Sequence, residues 1–231
     1  MDSLFTADEW TAIGLSLKVA SVATLASLPV GIAMAMLLSR VRFPGRSLLA
    51  GLVSLPLVMP PVVTGYLLLI AFGRKGPIGA FLDQTFGLVF AFRWTGAALA
   101  AAVMGFPLMV RAIGLSIDAI DRKLEDAAST LGADRAMVFL TVTLPLALPG
   151  ILAGLVLAFA RSLGEFGATI TFVSNIPGET QTIPSAIYAL LQSPDGDQAA
   201  LRLTLVSIAI SIAAILLSEW LAARIRRESK P

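Results

Sequence analysis

The chain has 231 residues, of which 57% are apolar and 14% charged, against about 25% charged in an ordinary soluble domain, so a soluble globule is excluded. Cys and His are both absent, which removes thiol chemistry, disulfides, histidine metal ligation and histidine acid–base catalysis. Seventeen Lys and Arg against fifteen Asp and Glu leave a formal charge of +2, too small for a nucleic-acid binder.

A membrane-crossing helix needs about 20 mainly apolar residues, because it alone satisfies its own backbone groups in hydrocarbon. Five stretches qualify, which predicts an all-α, polytopic membrane protein forming a single domain over residues 1–231. Residues 11–38 carry one charge, Lys18. No basic leader precedes them, and Asp2, Asp8 and Glu9 do, so this span is expected to stay in the membrane and not to be cleaved as a signal. Residues 48–72 carry no charge. Their Pro56, Pro60 and Pro61 each remove a backbone donor, and Pro60 disfavours helix at Met59, which predicts a kinked or broken span. Either the kink serves packing, or the freed carbonyls with Thr64 and Gly65 line a pathway or gate. Residues 76–92 mix Gly, Pro77, Asp83 and Gln84 and read as a re-entrant or surface segment.

The third span, residues 95–116, carries only Arg111, and its Gly105-Phe106-Pro107 offers a bend and a bulky plug. The fourth, residues 144–173, contains Arg161 and Glu165. Charges inside a span are costly and usually functional. On a helix these two would share a face and pair, either to orient the helix or to act at the pathway. Gly164 and Gly167 admit close backbone approach or local unwinding beside them. The fifth span, residues 201–220, has Arg202 and Glu219 at its ends. Trp10, Trp94 and Trp220 all fall at span ends, where an amphipathic ring prefers the headgroup layer.

Lys and Arg are divided unequally between the two sets of connections. Eleven lie on one side (Arg40, Arg42, Arg46, Arg111, Arg122, Lys123, Arg135, Arg224, Arg226, Arg227, Lys230) and four on the other (Arg74, Lys75, Arg93, Arg202). The positive-inside rule then places the N-terminus outside and the C-terminus in the cytoplasm, and an odd number of spans agrees with that.

The connection 118–143 is more than a tether. Ile117, Ile120, Leu124, Ala127 or Ala128, and Leu131 recur at helical spacing. Gly132 is suited to the left-handed conformation that closes a helix, and Asp134 to capping the next one. Pro145 suits the first turn of the fourth span. The prediction is helix, sharp turn, helix. Asp126-Ala127-Ala128, three residues, Gly132, nine residues, then Val142-Thr143-Leu144-Pro145 resembles the cytoplasmic loop of bacterial ABC importer permeases. That family's pattern is Glu-Ala-Ala, three residues, Gly, nine residues, Ile, one residue, Leu-Pro. Asp126 and Val142 depart from it, and Glu125 keeps the negative charge locally. The resemblance implies that this loop docks on a cytoplasmic ATPase dimer, which holds the ATP and Mg. No Gly-x-x-x-x-Gly-Lys-Ser/Thr phosphate loop occurs in the chain, so no cofactor and no enzymatic activity are expected of it.

The run Arg161-Ser162-Leu163-Gly164-Glu165-Phe166-Gly167-Ala168-Thr169-Ile170 and the following Pro177-Gly178-Glu179-Thr180 are similar to the permeases of molybdate ABC importers. Leu55-Pro56-Leu57-Val58-Met59-Pro60-Pro61 and Ser218-Glu219-Trp220 extend the likeness over nearly the whole chain. Sulfate permeases share its outline. The resemblance implies a multi-pass permease of the bacterial inner membrane that translocates molybdate, and tungstate with it, as a homodimer with two ATPases and a periplasmic oxyanion-binding protein. The pathway or gate candidates are Pro56, Pro60, Pro61, Thr64, Phe106, Arg161, Gly164, Glu165, Gly167 and Thr169. No cluster of Arg or Lys is expected along any span, which suits a channel-like path more than tight binding. Outward residues 177–198, acidic at Glu179, Asp195 and Asp197, with an amphipathic helix at 183–191, are the candidate dock for the binding protein. The rival readings are a sulfate or thiosulfate permease and a self-powered carrier. Only Arg161 and Glu165 would serve the carrier as coupling groups, and no internal repeat supports it. A Ser/Lys hydrolase would need Lys18 with Ser16 or Ser21, which are poorly placed.

Overall fold

The structure, a computed structural model, describes residues 5–228. Asp2 and Lys230 lie outside the described residues, as do the side chains of Ser218, Glu219, Arg224, Arg226 and Arg227. Among the described residues every regular element is helical.

Helix α1 (Ala7–Arg40) opens with a capping box, in which Thr6 N donates to Glu9 Oε2 at 2.6 Å and Glu9 N donates to Thr6 Oγ1 at 3.2 Å. Its 34 residues reach about 50 Å at 1.5 Å per residue, enough to cross a bilayer and project from it. Lys18 is explained by its surroundings: its Nζ stands 3.6 Å from the centroid of the Trp94 ring, a cation–π contact that offsets the cost of a charge in the span.

The second span is two helices, α2 (Arg46–Val58) and α3 (Pro61–Phe72), whose axes turn by 114°. The prolines explain the break. Pro60 has no N–H to continue the helix and holds Met59 extended (φ −70°, ψ 144°), so α2 ends where Met59 N donates to Leu55 O. The pair still carries the chain across. Arg46 lines a cleft with Leu38 and Asp118 at one end of the bundle, and Phe72 meets Phe90 at the other, beside Trp94. Helix α4 (Pro77–Phe86) is too short to cross and packs on α3.

Helix α5 (Trp94–Asp118) is the central rod, packed on α1 and on α8 (Leu144–Leu163). Between them come α6 (Arg122–Thr130), α7 (Arg135–Val138) and a π-helical turn, Phe139–Thr143. The predicted fourth span, 144–173, starts where α8 does, at Leu144, and is corrected at its far end. Helix continues unbroken from Arg135 to Leu163, because the wider turn, with Leu144 N donating to Phe139 O, absorbs Pro145 without a break. At the other end α8 stops at Leu163, and α9 (Gly167–Val173) is a separate helix. The predicted helix from Ile117 to Leu131 also divides: Ile117 ends α5, Ile120 is buried in the core, and Asp121 caps a new helix. Helices α10 (Ile183–Leu190) and α11 (Asp197–Glu228) complete the chain.

Three apolar clusters stack along the bundle. The middle contact is made by small residues. Gly150, Gly154, Ala158 and Ser162 recur every fourth residue on α8, and a Cβ on Gly154 would stand 3.0 Å from Met109 O and one on Gly105 3.1 Å from Ala158 O. Such a stripe lets two backbones approach where lipid offers no hydrophobic driving force between helices. At the end opposite α6, Ser16 Oγ accepts from Ile183 N at 2.7 Å, and Arg202 Nη2 donates to Glu9 Oε1 at 2.8 Å, fastening α10 and α11 to α1. Replacing Gly154 by Leu is expected to lower the melting temperature of the detergent-solubilised protein, overpacking costing about 1–3 kcal/mol, and Gly154→Ala is expected to lower it less.

Candidate functional site

Two constructions carry the candidate residues. The first is the elbow α6–α7. Asp121 Oδ1 accepts from Lys123 N at 3.0 Å to start α6. The helix closes on Gly132, whose φ of +94° belongs to the left-handed region. Gly132 N donates to Ser129 O and Ala133 N to Ala128 O, the paired bonds of a Schellman ending. Asp134 Oδ1 then accepts from Met137 N at 2.7 Å, as its cap position predicts. Glu125 stands apart from its neighbours: it faces inward onto Arg40 and Thr143, whereas Asp126 and Ala127 face solvent and Ala128 is half-buried. No residue of α6 is buried. The elbow exposes Leu124, Leu131, Met137 and Leu140, Leu131 at 89%, an apolar surface left open among the described residues. Val142, Leu144 and Pro145 lie in the π turn and the start of α8, where the elbow joins the rod.

The second construction is the meeting of the two breaks. A Cβ on Gly167 would stand 2.7 Å from Pro61 Cβ, and one on Gly65 would stand 2.5 Å from Ala168 O and 2.9 Å from Thr171 Cβ. The glycines therefore let α3 and α9 seat directly on one another. Glu165 lies beyond the end of α8, so the pair it makes with Arg161 is not set by a shared helical face. The chain leaves the helix at Gly164 and turns the Glu165 carboxylate back. Its Oε1 accepts from Ala168 N at 2.8 Å, capping α9, and its Oε2 stands 2.5 Å from Arg161 Nη1, an ion contact not aligned as a hydrogen bond. Glu165 is 1% exposed and Arg161 28%. Thr64 and Thr169 are buried, Thr64 with no hydrogen-bond partner for its hydroxyl.

Phe106 and Pro56 belong elsewhere, lining a largely apolar cleft of about 380 Å³ between α1, α2 and α5, with Ser27 among its walls. A second cleft of about 340 Å³ shares Val53 with it and is lined by Arg46, Arg111, Asp118, Ser39 and Ser54. Two arginines from different helices thus line one cleft, at the end of the bundle that holds Asp118. Only the fold brings together Arg46 and Arg111, 65 positions apart in the chain. The stripe on α8 and the Glu125–Arg40 pair were missed as well. The stripe has a signal in the sequence, its four-residue repeat of small side chains, and the pair has none.

Removing one member of a buried ion pair leaves the other uncompensated, at about 3–5 kcal/mol. Arg161→Ala is therefore expected to destabilise the solubilised protein more than Arg161→Ala combined with Glu165→Gln, in thermal unfolding of the two variants side by side.

Residues 27–227 match the family model described as binding-protein-dependent transport system inner membrane component. The chain is 63% identical over 225 residues to the molybdenum transport system permease protein ModB of Escherichia coli (strain K12), covering 97% of this chain and 98% of that one. It is 39% identical over 181 residues to the sulfate transport system permease protein CysT of Salmonella typhimurium, covering 78% and 65%. Among solved structures, the bacterial alginate ABC transporter in complex with an alginate pentasaccharide-bound periplasmic protein superposes with a TM-score of 0.74 at 20% identity, over 95% of this chain and 80% of that one, a likeness of fold. Matched over most of its length, and built of apolar helices that cross the membrane repeatedly, the chain belongs to the family of inner membrane components of binding-protein-dependent transport systems.

Proposed function

We propose that the chain is the membrane-spanning subunit of an ATP-driven ABC importer for molybdate, passing tungstate as well because the two oxyanions share shape and charge. One observation carries the ATP-coupled reading: a helix-turn-helix elbow with no buried residue in α6, an exposed apolar surface and a rigid Schellman turn, continuous with the long helix Arg135–Leu163. A helix so bare is stable only when something covers it, and a cytoplasmic ATPase that docks there gains a lever onto α8. The cargo rests on likeness. Identity to the molybdenum permease is 63%, against 39% to the sulfate permease, which favours molybdate over the sulfate reading.

The elbow end is cytoplasmic in this reading, consistent with the excess of Lys and Arg there, and the N-terminus lies outside. Five passes do not enclose a path, so a second copy of the chain pairs with it across the translocation route, and two ATPases dock below. Helix α2 has no buried residue, and Leu48, Leu52, Leu55 and Val58 are exposed along it, surface available to lipid and to that second copy. A periplasmic oxyanion-binding protein delivers cargo at the opposite end, where α10 and residues 177–198 are fastened to α1. The structure of the bacterial alginate transporter includes an alginate pentasaccharide-bound periplasmic protein.

The test is uptake of labelled molybdate by proteoliposomes holding the chain, its ATPase and its binding protein. Uptake is expected to need all three with ATP, and to be competed by tungstate far better than by sulfate. Uptake by the chain alone would favour a self-powered carrier, and equal competition by sulfate would favour the sulfate reading. Gly132→Val, which forces a β-branched residue to a φ of +94°, is expected to insert normally but to lose both transport and ATPase association.

A further inference from the structure

We propose that Glu125 is the positioning residue that latches the elbow to α1, so that a displacement of the docked helix moves α1 and α8 together. The inference rests on the reading of the elbow as the ATPase dock and adds a moving part to it.

The latch is a single carboxylate shared by three elements. Arg40, the last residue of α1, reaches it through Nε, 3.3 Å from Glu125 Oε1 and 3.2 Å from Oε2. Thr143, buried at the end of the π turn, donates from Oγ1 to Glu125 Oε1 at 2.7 Å. Arg40 Nη2 also donates to Ile120 O at 3.4 Å, where α5 has just ended and its carbonyls lack helical partners. Both side chains of the ion pair are largely withdrawn from solvent, 14% exposed for Arg40 and 17% for Glu125, so the contact is less screened than a surface pair.

The surroundings give the latch its consequence. Helix α6 buries none of its residues, and it hangs from α5 by the short link of residues 119–121. Without a side-chain tie, a force on α6 would pass along the chain to α8 but be lost to α1 by bending at that link. With Glu125 held from two sides, the same force reaches the end of α1 through Arg40 and the foot of α8 through Thr143. The π turn that carries Thr143 is a departure from α-helical bonding of the kind frequent at functional sites. Asp126 and Ala127 keep their solvent-facing positions for the partner, so docking and latching fall to different residues of one helix.

The experiment reconstitutes the complete complex with Glu125→Ala, Arg40→Ala and the double variant. It measures molybdate carried per ATP hydrolysed and the ATPase co-purifying with the chain. Each single variant is expected to keep the ATPase bound and hydrolysing but to carry about fivefold less molybdate per ATP or lower, in the range of allosteric couplings. The double variant is expected to lose less than the sum of the two singles, since both break the Glu125–Arg40 contact. The exchanged pair Arg40→Glu with Glu125→Arg is expected to recover part of the ratio, which a role in mere folding would not produce. An unchanged ratio in the singles, strictly additive losses, or release of the ATPase by Glu125→Ala would overturn the latch. Wild-type complex run in parallel separates the two readings. If it shows no ATP-dependent uptake, the importer reading itself fails, whereas wild-type uptake with intact variants removes only the latch.

Discussion

Inside a bilayer a backbone N–H or C=O that leaves its helix has no water to turn to, so irregular chain is tolerated only where protein covers it. That constraint organises this molecule. The chain breaks helix twice within its spans, at Met59-Pro60 and at 164–166, and the fold brings the two breaks together. Pro61 lies against Gly167, and Gly65 against Ala168. Glu165 supplies what the second break lacks, accepting from Ala168 N while Arg161 balances its charge. The arrangement is stable because each departure from helix is sealed by the other. It is also the place where small shifts between α3 and α9 require no long helix to bend.

Around this junction the helices form two kinds of contact. Between α5 and α8 the backbones are as near as glycine allows, and such a contact moves as a body. At the two ends discrete polar ties stand beside the apolar packing: Ser16 to Ile183 and Arg202 to Glu9 at one end, Glu125 to Arg40 and Thr143 at the other. A transporter driven from one end needs this division, a rigid middle and discrete ties through which motion enters and leaves. The elbow has the form of an entry point, since it is continuous with α8 through a π turn and attached to α1 by one carboxylate.

The sequence makes local chemistry legible and leaves distant chemistry hidden. Gly132 and Asp134 announce the turn and cap because each acts within a few residues of itself, and both take the predicted conformations. Pro60 and Pro61 announce a break for the same reason, but not its angle, which depends on how α3 seats against α9. Pro145 announces the first turn of α8, but not the π turn before it, which lets helix run through from Arg135. Arg161 and Glu165 are paired as their spacing suggests, but by a chain that has already left the helix. Glu125 reads as a spare negative charge beside Asp126, and its partner Arg40 lies 85 positions away. Arg46 and Arg111 read as separate basic residues at the ends of two spans, and only the packing of α2 on α5 lines one cleft with both.

In the proposed importer the elbow is the surface through which an ATPase drives this chain. The chain has no cysteine, so single cysteines report without background. Leu131→Cys on the elbow and Leu191→Cys at the opposite end are both at exposed positions and are to be cross-linked in the assembled complex with and without nucleotide. The Leu131 position is expected to join to the ATPase with a yield that changes on ATP binding, and the Leu191 position is expected not to join to it in either state. Cross-linking to the ATPase from Leu191, or none from Leu131, would contradict that role of the elbow.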